Sequence, residues 1–300
     1  MLETILGVIL AILAGLMFTF GAVMQKKGVE NLPDIKLGDY KTVLPLLKNR
    51  TWLVGLIVGL LGGIPYVLSQ MWIGLGYTQL LIATGLILLA IMATRTLHEP
   101  LGKMEYIGIA LIIIGSIFLG LAQLQPVAAN LSDLGFFTNV VIFYIPFFIA
   151  IGAGLTFYKF SEWGAAKILG AISGIIFGCG AGFSQIGIMG LIEGNWFALI
   201  IGYLILMIGT ALGTVVANVA FQKGKAIVVI PIQSAGNYLI PILAGLLVFQ
   251  QIFLFWINFW IYFLPAVILI MLGVFLLSRI QAEMEKSTEQ SEVHENLSNH

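Results

Sequence analysis

The sequence has very little charge. Asp, Glu, Lys and Arg together make up 9% of its 300 residues, whereas 60% are hydrophobic, and the mean hydropathy is +1.05. A water-soluble domain carries roughly a quarter charged residues, because its surface has to be hydrated. The composition therefore excludes a soluble globular protein and predicts a chain embedded in a lipid bilayer.

Acidic and histidine side chains are missing from every long apolar stretch. All 14 Asp and Glu residues and all three His residues lie between or beyond those stretches. An ionisable group inside the bilayer usually marks a proton or ion pathway, since burying its charge in hydrocarbon is costly. We therefore do not expect proton coupling through a buried carboxylate.

Catalytic and redox motifs are also missing. The only cysteine is Cys179, and a lone cysteine cannot form an intrachain disulfide. His98 and Glu99 are followed by Pro100 and Leu101, so they do not form the HExxH zinc motif. The apolar stretches contain neither a nucleophile–base pair nor a set of metal ligands. We expect no enzymatic activity, no bound cofactor and no nucleic-acid partner.

What the chain does have is nine apolar runs of about 20 residues each, enough for a helix to cross about 30 Å of hydrocarbon. Helices are required there because lipid cannot satisfy open backbone groups. The sequence predicts an all-α polytopic membrane protein with about nine transmembrane helices. The runs lie at residues 4–24, 52–72, 75–94, 106–124, 136–156, 168–190, 196–219, 226–248 and 255–277.

The basic residues fall on alternate connections between these runs. The connections after runs 1, 3, 5 and 7 and the C-terminal tail contain 6, 2, 2, 2 and 2 Lys or Arg, which accounts for all 14. This is the positive-inside pattern of a multi-pass protein of the cell membrane, with the N-terminus outside and the C-terminus cytoplasmic. Glu3 precedes the first run and Lys26 follows it, which is typical of a retained helix rather than a signal peptide.

The chain contains an internal repeat. GLMFTFGAVMQKKG at 15–28 is similar to GIIFGCGAGFSQIG at 174–187, and IALIIIGSIFL at 109–119 is similar to VILIMLGVFLL at 267–277. The offsets are 159 and 158 residues, and five crossings separate the equivalent runs, so the halves have opposite orientations in the membrane. We predict two inverted four-helix repeats joined by a connector helix. The expected units are a first repeat at 1–124, a connector at 125–167, a second repeat at 168–280 and a disordered acidic cytoplasmic tail at 281–300.

Glycines recur at four-residue spacing inside three of the runs. This spacing places them on one helix face, where two backbones can approach closely. The glycine faces are interpreted either as fixed packing surfaces or as surfaces along which helices slide. The glycines are Gly55, Gly59 and Gly63, then Gly170, Gly174, Gly178 and Gly182, and finally Gly209 and Gly213.

The stretch 25–51 is predicted to lie outside the bilayer. Its apolar residues, such as Leu37, Tyr40, Leu44 and Leu47, have roughly helical spacing. That spacing favours a short helix on the cytoplasmic surface. A simple loop fits the same pattern.

Neutral polar residues inside the runs are the candidate binding groups. Pro231 and Pro241 weaken the helix between them and free carbonyl oxygens. Amides and hydroxyls nearby could line a cavity between the halves for an uncharged or zwitterionic solute, or they could only hydrogen-bond between helices. The candidate substrate-binding residues are Gln70, Thr84, Gln185, Asn218, Gln233 and Asn237.

These features resemble the drug/metabolite transporter superfamily. The pattern Gly-x5-Gly-x3-Gln-Lys-Lys-Gly at 15–28, and LHEPL at 97–101 followed by IGIALIIIGSIFLGL, are similar to EamA-type repeats. NIPA-type magnesium transporters look closest, because they share nine predicted helices, the KKG ending and the run from Asn218 to Pro231. The resemblance implies transport by alternating access.

The sequence also departs from these families. Gln251 stands where the NIPA-type proteins have a glutamate, and Phe18 and Phe177 stand where small multidrug exporters have an essential carboxylate. Hard cations such as Mg²⁺ prefer carboxylate oxygens, although a partly hydrated ion can be held by amides and carbonyls.

We therefore expect a transporter of a small polar solute, with a NIPA-like magnesium transporter as the alternative. A non-transporting membrane receptor or assembly factor is the alternative of another class. The expected partners are a small-molecule or ion substrate and the lipid bilayer, and the sequence is compatible with a homo-oligomer.

Overall fold

The computed structural model describes residues 2–30, 32–97, 102–122, 124–125, 131, 134–160, 164–250, 252–253, 255–273 and 276. Apart from two paired two-residue strands, β1 (Leu124–Gln125) and β2 (Ile252–Phe253), the regular elements in these ranges are helical. They are α1 (Leu2–Val29), α2 (Tyr40–Val43), a 3₁₀ turn (Leu44–Lys48), α3 (Arg50–Ile82), α4 (Gly85–Arg95), α5 (Lys103–Leu121), α6 (Leu134–Phe160), α7 (Ala165–Glu193), α8 (Trp196–Lys223), α9 (Ala226–Leu247) and α10 (Phe259–Gly273), which begins with the π-helical turn Phe259–Phe263. The LHEPL motif beyond Leu97, Gln251 and the tail 281–300 lie outside the described residues.

The chain reverses direction within α3. The hydroxyl oxygens of Ser69 and Thr78 are 2.9 Å apart, and Gln79 Nε2 donates to the Tyr66 hydroxyl at 2.8 Å. On a straight helix rising about 1.5 Å per residue, residues 66 and 79 would lie about 20 Å apart along the axis. The first leg of α3 therefore runs antiparallel to α1, and the second leg returns beside α1 and leads into α4. The break predicted between runs 2 and 3 coincides with this reversal.

Six helices are long and apolar enough to cross a membrane. They are α1, the first leg of α3, α6, α7, α8 and α9, and they coincide with predicted runs 1, 2, 5, 6, 7 and 8. Runs 3, 4 and 9 fall on the second leg of α3 with α4, on α5 and on α10, which do not meet the same criterion within the described residues. These helices agree with the predicted all-helical, multi-pass architecture.

The basic connections meet at one end of the helix bundle. One buried apolar cluster at this end contains residues close to the ends of five different helices. They are Val29, Trp52, Ala93, Leu169 and Phe221. Basic residues lie a few positions from each of them, and Lys223 Nζ also lies 5.9 Å from the centre of the Tyr158 ring at the end of α6. We call this the basic end, and the opposite end the far end.

Glycines at four-residue spacing allow α7 to pack closely against two neighbouring helices, α9 and α6. Gly174 and Gly178 face the backbone of α9 at Gln233 and Gly236, whereas Gly182 faces the Tyr144 hydroxyl of α6. The predicted glycine face of α7 is thus a contact surface shared by α9 and α6. On α3, Gly55 packs on α1, whereas nothing lies within 4 Å of the position a Cβ would take at Gly63.

The two halves repeat their close helix contacts. Adding 159 to the number of an α1 residue, and 151 to the number of an α3 residue, gives the residue that makes the equivalent contact in the second half. The offset falls by eight residues because the connection between the first two helices is shorter in the second half. The matching pairs are Gly15–Ile82 and Gly174–Gln233, Gly21–Gly55 and Gly180–Leu206, Gly28–Trp52 and Gly187–Tyr203, and Phe18–Gly62 and Phe177–Gly213.

The contact between α5 and α10 is reciprocal. Gly115 of α5 faces Ala266 and Ile270 of α10, and Gly273 of α10 faces Gly108 and Ile112 of α5. Each residue on one helix corresponds to its counterpart on the other at the offset of 158 found in the sequence. The two halves therefore contact each other here through equivalent surfaces.

The stretch between α1 and α3 forms two short helical turns at the basic end, namely α2 and the 3₁₀ turn. Asp39 caps α2 by accepting from Lys41 N at 3.0 Å. Leu46 is buried, whereas Leu44 and Leu47 are about half exposed. The structure is closer to the predicted short helix than to a simple loop. The residue that faces the protein, however, is Leu46 rather than Leu44 or Leu47.

Candidate functional site

Polar side chains inside the bundle occupy three levels between its two ends. The basic-end junction consists of Gln25, Lys26, Trp52, Asn218 and Gln222. The middle level consists of Thr19, Thr84, Gln233 and Asn237. The far-end cluster consists of Tyr66, Ser69, Gln70, Thr78 and Gln79.

Asn218 is the centre of the basic-end junction. It is fully buried near the end of α8, and its Oδ1 accepts from Trp52 Nε1 at 2.9 Å. Its Nδ2 donates to Thr214 O at 2.7 Å and to Gln25 Oε1 at 3.2 Å. One amide thus joins α8 to both α1 and α3, which belong to the other half of the chain.

Lys26 adds a charged bond to the same junction. Its ammonium donates to the Phe221 carbonyl at 2.8 Å and lies 3.5 Å from the Glu30 carboxylate. The lysine is 7% exposed, and a charge-assisted bond between partly desolvated groups is roughly twice as strong as a neutral one. The end of α1 is therefore held firmly against the end of α8.

Gln222 closes the junction from the side of the α1–α2 connection. Its Oε1 accepts from Ile35 N at 2.8 Å, and its Nε2 donates to the Pro33 carbonyl at 3.1 Å. The connection consequently folds over the end of α8. Together these bonds seal the basic end between the two halves.

The far-end cluster lies at the turn inside α3. Gln70 is 18 residues after Trp52 on the first leg of α3, which places it about 25 Å from the basic-end junction. It is 5% exposed, and neither its Oε1 nor its Nε2 has a hydrogen-bond partner among the described residues. Gln79 donates to Tyr66, but its Oε1 is also unpartnered. Tyr66 packs with Tyr238 of α9 in one apolar cluster.

The middle level lies between the basic end and the far end of the bundle, where α9 packs on α7. Gln233 is on α9 opposite Gly174 of α7, about 10 Å along α9 from the basic end of that helix. Its Oε1 is buried without a hydrogen-bond partner among the described residues. Asn237 follows one turn later and is half-buried.

Thr84 reaches the same level from the first half. It lies in the turn between α3 and α4, where its hydroxyl donates to Leu81 O at 2.6 Å. Gly85, its neighbour, packs on Gly15 and on the Thr19 hydroxyl of α1, and Thr19 is itself 8% exposed. The corresponding contact in the second half is that of Gly236 with Gly174.

The six predicted binding residues are therefore distributed over all three levels. Thr84, Gln233 and Asn237 lie at the middle level. Gln70 lies in the far-end cluster, and Gln185, which is 20 residues into α7, is half-buried toward the same end. Asn218 lies in the basic-end junction, about 25 Å from Gln70.

The structure adds further polar residues that the sequence did not single out for the site. Gln25 and Trp52 hold Asn218, Thr19 lies at the middle level, and Tyr66 and Gln79 belong to the far-end cluster. The contact between Gln25 and Asn218 could not be predicted from their spacing, because the two residues lie far apart along the chain. The pairing of Tyr66 with Gln79 depends on the reversal within α3.

The chemistry of these levels is neutral apart from Lys26 and its partner Glu30. No group of three or more His, Cys, Asp or Glu side chains that could hold a metal ion occurs among the described residues. The available ligands are amide and hydroxyl oxygens. They can bind a cation directly only weakly, but they accept hydrogen bonds from the water molecules around a hydrated cation.

A separate groove of about 400 Å³ lies between α6, α7 and α8. Its lining includes Val141, Phe148, Phe183 and Ile201, and it is almost entirely apolar. Such a surface suits lipid chains rather than a polar solute, so the groove is not part of the candidate site.

No family model and no solved structure matches the chain. The chain is similar to the protein described as "Probable magnesium transporter NIPA9" from Arabidopsis thaliana. The two are 24% identical over 286 residues, which covers 90% of this chain and 82% of that protein. The chain is thus a distant relative of a protein described as a magnesium transporter.

Proposed function

We propose that the chain is a membrane transporter of the drug/metabolite transporter type that carries Mg²⁺ in a partly hydrated form. Transport occurs by alternating access between two inverted four-helix repeats, with nine crossings in all, the N-terminus outside and the C-terminus cytoplasmic. The repeated glycine contacts, the reciprocal α5–α10 contact and the distant similarity to a described magnesium transporter support this proposal.

The middle level is the proposed binding site, and Gln233 is the observation that carries it. A buried amide oxygen without a partner is costly, because it has lost its hydrogen bonds to water. Mg²⁺ gives up its water reluctantly and keeps several molecules of its shell when bound. Those polarised water molecules are strong donors, and Gln233 Oε1 accepts from them, with Asn237 and Thr84 beside it.

The neutral character of the site is consistent with passage rather than storage. A cage of carboxylates would bind Mg²⁺ tightly and release it slowly, whereas conduction requires binding weak enough to permit release. Amide and hydroxyl oxygens acting through retained water provide such weak binding. The Lys26 ammonium lies at the basic-end junction, so it becomes exposed to the ion only when that junction opens.

The test is Mg²⁺ entry into proteoliposomes that contain a Mg²⁺-sensitive dye. We expect Gln233→Ala/Asn237→Ala to lower the initial rate about tenfold or more, since a hydrogen bond to a charged group contributes about 1.5–3 kcal/mol. The matched control is Ser116→Ala, because Ser116 donates only to Ile112 within α5. Unchanged entry through a correctly folded double variant would remove the middle level as the binding site.

A neutral or zwitterionic polar solute is the second candidate. It is favoured by the absence of carboxylates at the middle level among the described residues. The same vesicles distinguish the two candidates. Exchange of a labelled metabolite without any Mg²⁺ entry would replace Mg²⁺ as the substrate and leave the transporter in place.

A further inference from the structure

The two halves contact each other unequally at the two ends of the bundle. The equivalence of helices maps α1 onto α7 and α3 onto α8, so the contact of α1 with α8 corresponds to a contact of α7 with α3. The first contact is closed at the basic end by the bonds of Lys26, Asn218 and Gln222. Among the described residues, α3 and α7 pack less closely than α1 and α8.

The offsets identify the residues that a closed far end would bring together. The glycine contacts fix the offset at 159 for α1 and α7 and at 151 for α3 and α8. Lys26 therefore corresponds to Gln185, and Phe221, whose carbonyl Lys26 binds, corresponds to Gln70. Gln185 and Gln70 are thus the far-end residues that correspond to Lys26 and Phe221, which are bonded to each other at the basic end.

An independent observation points to the same pair. Gln70 is 5% exposed, and neither polar atom of its amide makes a hydrogen bond of good geometry among the described residues, although the Tyr66 hydroxyl lies near it. A buried amide with neither group satisfied costs stability unless another state of the protein supplies its partners. Gln185 carries a complementary donor and acceptor and lies half-buried toward the same end of α7.

We infer that Gln70 and Gln185 form a far-end junction that closes when the basic-end junction opens. The inference rests on the proposed transport by alternating access, and it assigns the present structure to the conformation closed at the basic end. In the opposite conformation, α3 and α7 close together, Gln185 bonds to Gln70, and Lys26 is released into water. The charged basic-end bond is stronger than a neutral amide pair, so the conformation described here is the more populated one at rest.

Disulfide cross-linking of the full chain in native membranes tests this inference. The background variant is Cys179→Ser, which removes the buried native thiol. Two cysteine pairs are compared, namely Gln70→Cys/Gln185→Cys for the far end and Ser69→Cys/Thr78→Cys as an internal control. The control pair lies within the turn of α3, where the native hydroxyl oxygens are 2.9 Å apart, and should cross-link in both conformations.

We expect the far-end pair to cross-link, and the added substitution Asn218→Ala to raise its yield. Loss of the Asn218 bonds to Trp52 and Gln25 at the basic end should shift the ratio of conformations about thirtyfold. The control pair should not change in the same background. A second far-end pair, Met71→Cys/Met189→Cys, which corresponds to Gln222 and Glu30, guards against local misfolding at position 70 or 185.

The inference is wrong if neither far-end pair cross-links while the control pair does, or if Asn218→Ala leaves both far-end yields unchanged. Cross-linking does not depend on the substance carried. A protein that cross-links as expected but admits no Mg²⁺ would contradict only the proposed substrate. A protein that transports Mg²⁺ without far-end cross-linking would contradict only the junction.

Discussion

The two halves of the molecule have the same helix contacts but different polar side chains. Gly15 and Gly174 occupy equivalent positions, yet their partners are Ile82 in the first half and Gln233 in the second. Lys26 at the end of α1 corresponds to Gln185 in α7. Close approach of two helix backbones needs a small residue at a fixed position, and for this reason the glycine contacts occur in both halves. The polar side chains at each level, in contrast, come mainly from one half.

This difference separates the scaffold from the proposed site. The scaffold supplies repeated glycine contacts within each half and one reciprocal contact between the halves, that of α5 with α10. The polar groups make the levels unequal. The basic end has a charge, whereas the Gln233 oxygen at the middle level and the Gln70 amide at the far end have no hydrogen-bond partner in the part of the chain that the structure describes. A scaffold with similar contacts in both halves but different polar side chains can exist in two conformations of unequal population.

The largest effect is expected from a glycine at a close helix contact. In Gly174→Ala the new Cβ would lie inside van der Waals contact of the Gln233 backbone, which cannot move aside as a flexible side chain would. Overpacking of this kind costs about 1–3 kcal/mol, and a backbone obstacle favours the upper end. Thermal unfolding in detergent should show a clearly lowered Tm.

Gly63→Ala is the matched control for that variant. A Cβ at Gly63 meets nothing within 4 Å, and alanine stabilises a helix by up to about 1 kcal/mol relative to glycine. Its Tm should be unchanged or slightly raised. Equal losses of Tm in both variants would show that the contact of α7 with α9 is not as close as described.

A smaller effect is expected at the basic-end junction. Asn218→Ala leaves the buried Trp52 indole without its acceptor and Gln25 without its donor, which should cost about 2 kcal/mol. Thr210→Ala on the same helix removes only a bond to Leu206 within that helix, and should cost under about 0.5 kcal/mol. Comparable urea midpoints for the two variants would mean that the junction contributes little.

The smallest effects are expected at Asn49 and Asn195, the asparagines that immediately precede α3 and α8. Asn49 accepts from Trp52 N at 3.0 Å and also donates to Gly28 O at 3.0 Å, whereas Asn195 accepts only from Ala198 N at 3.1 Å among the bonds described. Asn195→Ala should cost about 1 kcal/mol as the loss of a helix cap. Asn49→Ala should cost more, since α1 also loses a bond, and unfolding of both variants in one detergent compares them. The reverse order would contradict the closer attachment of α3 to α1.

Much of the fold follows from the sequence, for identifiable reasons. An apolar run of about 20 residues has few options in lipid other than a helix, and the predicted limits of runs 1, 2, 5, 6, 7 and 8 match observed helices. The glycines that make the repeated contacts could be identified in the sequence because small residues are required where backbones meet. The second offset of 151 was not visible, because the apolar residues of α3 and α8 are too interchangeable to align.

The levels of the polar residues were harder to predict. Four-residue spacing identifies which helix face a residue occupies, but not its depth or the neighbour it meets. Asn218 was grouped with Gln233 and Gln70, yet it lies five residues from the end of α8 and bonds to Gln25. The place of Gln79 depends on the reversal within α3, and the residues there provide no turn signal strong enough to predict its partners.

The most direct test of the account measures whether the far end closes. Spin labels at Met71→Cys on α3 and Leu191→Cys on α7, in the Cys179→Ser background, report the distance between these helices in proteoliposomes. The account predicts two distance populations, with the shorter one increased by Asn218→Ala. A single distance that neither Mg²⁺ nor Asn218→Ala alters would contradict alternating access between the two halves.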